Sequence, residues 1–230
     1  MNQVKTFTHV PCTYQIEKLT QVNPEGGKRY YVDSDGNRYM SVTALMSLDP
    51  SKQAGLEKWR NRIGDDAATQ IMNDAATRGT SIHSCVEMYL KNQFASEEAI
   101  ENAAQNNYWM FSCIRPFLHR IDNIRHQEFQ LFSRTLRLAG TCDCIAEFDG
   151  VPSIIDFKTS LKRKCSEWIS SYYMQETAYS FCYEERTGIR VPNLITIIVA
   201  QDGSVDVFRE QRKDHAKALR DLLAYARKLA

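Results

Sequence analysis

The spacing of apolar residues predicts short strands in the first forty residues and, from residue 65 onward, helices, three strands, a helix, two strands and a final helix. From Ala104 to Ile121 apolar residues recur at intervals of three and four, which is typical of an amphipathic helix, with a kink expected at Pro116. Capping and periodicity predict further helices over residues 41–48, 52–62, 65–90, 166–186 and 213–229. Thr187-Gly188 supplies the expected stop of the helix over 166–186.

Strand patterns occupy much of the remaining chain, namely residues 30–32, 38–40, 128–133, 137–148, 151–159, 194–200 and 205–209. The run over 194–200 is almost wholly apolar, as expected of a buried strand. The turn-rich segment 33–37 predicts a hairpin, and it lacks the glycine and the final glutamate of a calcium loop. We therefore expect one mixed α/β domain over 1–230, in which a hairpin and helices (1–64) precede a core (65–230).

Composition limits the classes of protein that the chain can represent. The hydrophobic share of 43% and the charged share of 25% are typical of a globular protein. No apolar segment is long enough to span a bilayer, and Met1–Val10 has no signal or transit composition, so we expect no membrane association. Seven irregularly spaced cysteines predict a reducing, cytoplasmic environment. The net charge of +1 neither supports nor excludes a polyanionic partner.

The most informative segment is a predicted hairpin centred on Asp149-Gly150, a dipeptide that favours a two-residue type I′ turn. Such a turn pairs Phe148 with Val151. Counting back along both strands then places Asp143 opposite Asp156 as a non-hydrogen-bonded pair, with α-carbons about 4.5 Å apart.

Side-chain alternation places Lys158 on the same face as Asp143 and Asp156. Opposed carboxylates repel each other, and a divalent cation with oxygen ligands would compensate that repulsion. The other face is predicted to be an apolar core face made of Cys142, Cys144, Ile155 and Phe157. The alternative is a solvated strand face on which the lysine partly neutralises the two aspartates.

Four motifs in this order resemble one nuclease family. They are a Gly-x-x-x-His motif within Arg78–His83, the single Asp143, Asp156-Phe157-Lys158, and a Gln-x-x-x-Tyr motif at Gln175–Tyr179. Together, over roughly residues 41–183, they resemble the RecB-like branch of the PD-(D/E)XK nuclease superfamily, including mitochondrial genome maintenance exonucleases and short phage exonucleases. The resemblance implies a restriction-endonuclease-like fold, with a mixed central sheet flanked by helices and N-terminal hairpin and helical additions.

The resemblance also implies a deoxyribonuclease that depends on Mg²⁺ or Mn²⁺. The implied metal ligands are His83, Asp143, Asp156 and the backbone carbonyl of Phe157. Lys158 would orient or activate the attacking water, and Gln175 and Tyr179 would line the site and position the substrate. A lone helical histidine is usually structural, so the role of His83 depends on its motif. Glu87, one turn later, would support the metal site or form a surface ion pair.

Basic and aromatic residues offer a path for DNA, because Lys and Arg bind phosphates and aromatic rings stack on unpaired bases. The predicted DNA-binding residues are Lys58, Trp59, Arg60, Arg62, Lys162, Arg163 and Lys164, and Trp168 follows them closely. Both groups could equally be solvated charged faces.

The expected partner is therefore DNA, with a preference for single strands. No phosphate-binding P-loop motif is present, so no fused helicase is expected. The cysteines outside the hairpin are scattered, so no iron–sulfur cluster is expected; they are Cys12, Cys85, Cys113, Cys165 and Cys182. The sequence predicts a cytoplasmic exonuclease, acting in a bacterial host if phage-encoded. A structure-specific endonuclease on the same fold and a non-catalytic DNA-binding module are the alternatives.

Overall fold

The computed structural model describes residues 4–11, 14, 17–25 and 27–229. Cys12 and the first three residues of the predicted non-signal segment lie outside the described residues. The strands are β1 (Thr20–Val22), β2 (Tyr30–Val32), β3 (Arg38–Ser41), β4 (Ile121–Ser133), β5 (Leu138–Phe148), β6 (Val151–Ser160), β7 (Asn193–Ala200) and β8 (Val205–Gln211). The α-helices are α1 (Val42–Met46), α2 (Pro50–Ile63), α3 (Asp65–Leu90), α4 (Glu97–Ala104), α5 (Tyr108–Leu118), α6 (Ser170–Thr187) and α7 (Arg212–Lys228).

The described strands form one mixed sheet in the order β1-β2-β3-β5-β6-β7-β8, with β4 paired to β5. Most neighbours are antiparallel, but β3 runs parallel to β5 and β6 runs parallel to β7. Helix α6 forms the crossover between β6 and β7, as a parallel pair requires. This arrangement confirms the predicted mixed α/β sheet flanked by helices.

Two apolar cores cover the opposite faces of the sheet. The α3-side core combines residues of α3, α4 and α5 with strand residues such as Ile155 and Phe157. The α6-side core combines residues of α1, α6 and α7 with strand residues such as Ile145 and Ile154. Because side chains alternate along β6, its neighbouring residues enter opposite cores. The central strands are consequently buried on both faces. Burying a polar side chain there costs free energy, so each such side chain is expected to have a structural or functional role.

The largest departures from the predicted elements occur between residues 97 and 128. The apolar stripe from Ala104 to Ile121 is divided among the end of α4, the helix α5 and the start of β4. Gln105 has φ +48°, which ends α4 and separates it from α5. Pro116 lies inside α5. The strand predicted to start at residue 128 starts instead at Ile121, because a register shift between Asp122 and His126 interrupts its alternating pattern.

Among the described residues, no helix is both long and apolar enough to cross a membrane.

Candidate active site

The β5–β6 hairpin has the predicted turn and register. Asp149 and Gly150 have φ of +51° and +76°, as a type I′ turn requires. Pairing runs from Phe148↔Val151 to Cys144↔Ile155.

The ladder nevertheless ends one position before Asp143 and Asp156, so the prediction that they form a directly opposed pair is wrong. Beyond this point β5 continues beside β3, whereas β6 continues beside β7. The Asp143 carboxylate reaches into the resulting gap, where its Oδ2 accepts a hydrogen bond from the Phe157 backbone N–H at 2.9 Å. The divergence of the two strands therefore opens the sheet where the carboxylates lie.

The predicted apolar face of the hairpin is correct for three of its four members. Cys144, Ile155 and Phe157 enter the α3-side core, but Cys142 enters the α6-side core with Tyr179. The cause is a distortion opposite Asp143. Glu128 has φ +45°, and the β4–β5 ladder pairs the residues on either side of Glu128 but omits Glu128 itself. This break interrupts the alternation between Cys142 and Cys144.

The same distortion brings three potential metal ligands together from α3, β4 and β5. One ligand atom each of His83, Glu128 and Asp143 lies within 4.8 Å of the other two. We refer to these three residues as the ligand cluster. The separation of His83 Nδ1 from Asp143 Oδ2 is 3.6 Å. One imidazole nitrogen and two carboxylate oxygens form a donor set that suits a divalent cation such as Mg²⁺ or Mn²⁺.

Glu128 was not predicted from the sequence as part of the site. Desolvation and the negative charges of Asp143 and Glu87 raise the pKa of Glu128 to about 7. Glu128 lies beside Asp143 because of the β4–β5 register. That register could not be predicted from the sequence, because the turn at 134–137 contains no Gly, Asn, Asp or Pro that would indicate a turn type.

Asp156 lies beside the ligand cluster and is paired with Lys158. Its side chain is almost fully buried, its Oδ2 forms an ion pair with the Lys158 ammonium, and its Oδ1 accepts a hydrogen bond from Gln175 Nε2 at 3.0 Å. Burial raises the pKa of Asp156. Burial alone would lower the pKa of Lys158, but the charges of Asp156 and Asp143 raise it above the usual range. The structure thus brings Asp143, Asp156, Lys158 and Gln175 into one site.

Helix α6 covers this site with aromatic and polar side chains. The buried Tyr179 packs so closely on β5 that a β-carbon at Gly140 would lie 2.9 Å from its hydroxyl oxygen, so any larger residue here would have to displace the tyrosine ring. Tyr172, which was not predicted, has its ring centroid 5.3 Å from Lys158 Nζ, a cation–π distance. The buried Glu176 accepts a hydrogen bond from Thr196 on β7, which holds α6 on the sheet.

Glu87 fits both interpretations that the sequence allowed. Its carboxylate forms an ion pair with Lys91, one turn further along α3. It also borders an open cavity of about 400 Å³, which is lined by Gly79, Thr80, His83, Ser84, Glu87 and Glu128. A group bound by the ligand cluster would therefore have open space beside Glu87.

The predicted DNA-binding residues lie in two separate segments. No residue of α2 is buried, so Lys58, Trp59 and Arg62 face solvent at least in part, and Arg60 forms an ion pair with Asp65 at 3.0 Å. After β6, Lys162 and Lys164 flank Arg163, which donates to Asp206 at 2.6 Å and is engaged within the chain. Trp168 is 72% exposed.

Lys52, at the start of α2, also lies near the site and was not predicted. Partial desolvation and the nearby Lys158 ammonium lower the pKa of Lys52.

Comparisons with known proteins agree with this architecture. The chain is 27% identical to human mitochondrial genome maintenance exonuclease 1 over 175 residues, which cover 71% of this chain and 50% of that protein. It is 28% identical to the mouse protein over 134 residues, which cover 56% of this chain and 39% of that protein. The chain thus spans about half the length, or less, of the curated relatives it matches.

A crystal structure of a candidate exonuclease from Eubacterium rectale superposes with a TM-score of 0.52 at 15% identity, covering 83% of this chain and 79% of that one. No family model matches the chain. The resemblance to mitochondrial genome maintenance exonucleases that the motifs indicated is thereby confirmed, and so is the fold.

Proposed function

We propose that this chain is a nuclease that hydrolyses phosphodiester bonds of DNA with the help of a divalent cation. The observation that carries the proposal is the ligand cluster, whose ligand atoms lie within 4.8 Å of one another, beside the Asp156–Lys158 ion pair. Carboxylates that lie this close together repel each other, and a bound cation compensates that repulsion most simply. The similarity to human and mouse proteins named as exonucleases supports the same function.

His83, Glu128 and Asp143 would hold the cation, with Asp156 and the Phe157 carbonyl beside them as further ligands. Bound Mg²⁺ or Mn²⁺ supplies polarisation of a phosphate group and lowers the pKa of a coordinated water. Lys158, held by Asp156, would orient or activate the attacking water and stabilise negative charge on the phosphoryl group. Gln175 would fix the Asp156 carboxylate, and Tyr179 would hold β5 against α6.

We further propose that the chain is an exonuclease that prefers single-stranded ends. The names of its relatives support the first part. The second part is supported by Trp168, because an indole that is 72% exposed offers a stacking surface, and it lies four residues before Tyr172, whose ring contacts Lys158. The structure-specific endonuclease remains the second candidate, and Asp143, Asp156 and Lys158 together favour either nuclease over a non-catalytic DNA-binding module.

End dependence separates the two nuclease functions. In Mg²⁺, a linear single strand should be shortened progressively, whereas a covalently closed single strand of the same sequence should persist, because an exonuclease requires a terminus. Gel analysis of both substrates over the same time course provides the measurement. Equal rates on the two substrates would assign an endonuclease and leave the metal chemistry untouched.

Glu128→Gln is expected to raise the Mg²⁺ concentration for half-maximal cleavage by about tenfold or more, because it removes one charged ligand. Glu147→Gln is the matched control: Glu147 lies on β5, four residues from Asp143, but accepts a hydrogen bond from Asn123 at 2.8 Å outside the ligand cluster. Titration of cleavage with Mg²⁺ should leave this control unchanged. An unaltered Mg²⁺ requirement in Glu128→Gln would remove Glu128 from the proposed ligands.

Trp168→Ala is expected to weaken binding of a single-stranded oligonucleotide by about tenfold, because stacking of one base on an aromatic ring contributes roughly 1–3 kcal/mol. Trp109 provides the control, since it is 45% exposed but lies on α5, which supplies none of the residues assigned to the candidate site or to DNA binding. Fluorescence anisotropy with the labelled strand should show the loss in Trp168→Ala and not in Trp109→Ala. Equal affinities of all three proteins would contradict the stacking role.

A further inference from the structure

Two arginines in the described part of the chain are buried, and they differ in their partners. Arg212 is 6% exposed, forms an ion pair with Glu184 and donates a hydrogen bond to Ser180 Oγ at 3.2 Å. Arg78 is 9% exposed, yet no described residue forms a hydrogen bond or an ion pair with its guanidinium group, and its Nε is enclosed without a partner. None of the undescribed residues has an acidic side chain.

An unpartnered charge of this kind opposes folding. A guanidinium group carries a permanent positive charge in proteins, so its burial requires a partner for that charge. Buried arginines are therefore almost always paired with an anion or a set of hydrogen-bond acceptors. In contrast to Nε, the two terminal nitrogens of Arg78 are not fully enclosed by protein. They are open to an anion that comes from outside the chain.

Arg78 is carried on the part of α3 that adjoins the candidate active site. A β-carbon on the next residue, Gly79, would lie only 3.7 Å from Thr159 Oγ1, and Thr159 directly follows Lys158 on β6. His83 of the ligand cluster lies five residues further along the same helix. An anion at Arg78 would thus be bound close to the end of β6, where the candidate site lies.

We infer that Arg78 binds a phosphodiester group of the DNA strand, neighbouring the group that lies at the ligand cluster. This inference deepens the proposed function and rests on it. A guanidinium group matches a phosphate well, because its parallel N–H donors can reach two phosphate oxygens. DNA carries one phosphodiester group per nucleotide. A strand with one phosphate at the ligand cluster therefore has the next phosphate close by. Bound DNA would give Arg78 the partner that the free chain lacks.

The test compares Arg78→Met with the wild type in EDTA, where metal-dependent cleavage cannot interfere. The probe is a fluorescent single-stranded oligothymidylate. Arg78→Met should bind it at least about tenfold more weakly, as expected for a lost hydrogen bond between charged groups. The slope of log K against log salt should become shallower by about 0.7, the value for one phosphate contact on a single strand. Arg78→Lys should retain the wild-type slope, because it keeps the charge.

Thermal unfolding of the free proteins gives a second readout. If Arg78 only stabilised the fold, replacing it would lower the melting temperature. Arg78→Met should leave the melting temperature unchanged or raise it, because the substitution removes an unpaired buried charge and keeps the apolar stem. Arg212→Met, the matched control, should lower the melting temperature by several degrees, since it separates a paired charge from Glu184. Its DNA affinity and salt slope should match those of the wild type.

A lower melting temperature of Arg78→Met together with wild-type DNA affinity and salt slope would overturn the inference and assign Arg78 to the fold. That outcome would leave the proposed nuclease function intact, because the wild type would still bind the strand. Failure of the wild type itself to bind the oligothymidylate would instead overturn the proposed function, and the inference with it.

Discussion

Replacing Asp143 by asparagine is expected to lower the rate of DNA cleavage in Mg²⁺ by at least about a hundredfold. A metal ion stabilises the transition state by several kcal/mol, and each 1.36 kcal/mol changes the rate by a factor of about ten. Asp143 Oδ2 is 3.6 Å from His83 Nδ1, and its ligand atom lies within 4.8 Å of those of His83 and Glu128. Asparagine keeps the shape of the side chain and can still accept the hydrogen bond from Phe157 N–H. It removes the charge that a divalent cation requires.

The matched control is Asp149→Asn in the turn of the same hairpin. Asp149 is ion-paired with Arg120 and Arg209 near the surface, and asparagine is well suited to the first position of a type I′ turn. Cleavage by this variant should stay within about twofold of the wild type, since exposed ion pairs contribute little. Cleavage assays and Mg²⁺ binding by calorimetry provide the measurements. Wild-type turnover of Asp143→Asn in Mg²⁺ would refute the metal site.

Lys158→Met is expected to lose most turnover, by about a hundredfold or more, while DNA and metal binding persist. Lys158 contributes to the chemical step in the proposed mechanism, whereas the ligand cluster and the DNA-binding surface do not include it. Lys158→Arg should restore little activity, because a guanidinium has a different shape and reach and cannot release its proton. Single-turnover cleavage and anisotropy separate the loss in rate from any loss in binding.

The same substitution tests how the site is held together. Lys158→Met leaves the Asp156 carboxylate, which is 2% exposed, without its ion-pair partner, so the free enzyme should lose stability. The double variant Lys158→Met/Asp156→Asn should recover much of that stability without recovering activity, because asparagine can still accept the hydrogen bond from Gln175. Unchanged turnover in Lys158→Met would show that the lysine only balances charge.

Local sequence alone was enough to predict most of the elements and one decisive register. The helix over 65–90 and the strands over 137–148 and 151–159 agree with α3, β5 and β6 to within one residue. Asp149-Gly150 determined the register of the β5–β6 hairpin, because few dipeptides other than Asn-Gly and Asp-Gly readily adopt two consecutive positive φ angles. That register is a local property, and it placed Asp143 and Asp156 near each other before any tertiary contact was considered.

Tertiary structure decided what the two aspartates face. The gap between β5 and β6 exists because each strand continues beside a different neighbour, β3 or β7, and both are distant in sequence. The recruitment of Glu128 depends on a backbone distortion in β4, and the hydrogen bond from Gln175 to Asp156 depends on the packing of α6. No local pattern encodes these contacts, because they arise from strands and helices that meet only when both cores are closed.

The environment of Arg78 could not be predicted from the sequence either. In the sequence it is one more basic residue beside a glycine, and its helix position is all that periodicity predicts. Its burial without a partner follows from the packing of α3 against the end of β6, where Gly79 approaches Thr159. The sequence by itself determined which chemical groups the chain carries and the local elements that hold them. Tertiary packing alone determined which of those groups are desolvated and which remain unpaired, because burial is a property of the whole fold.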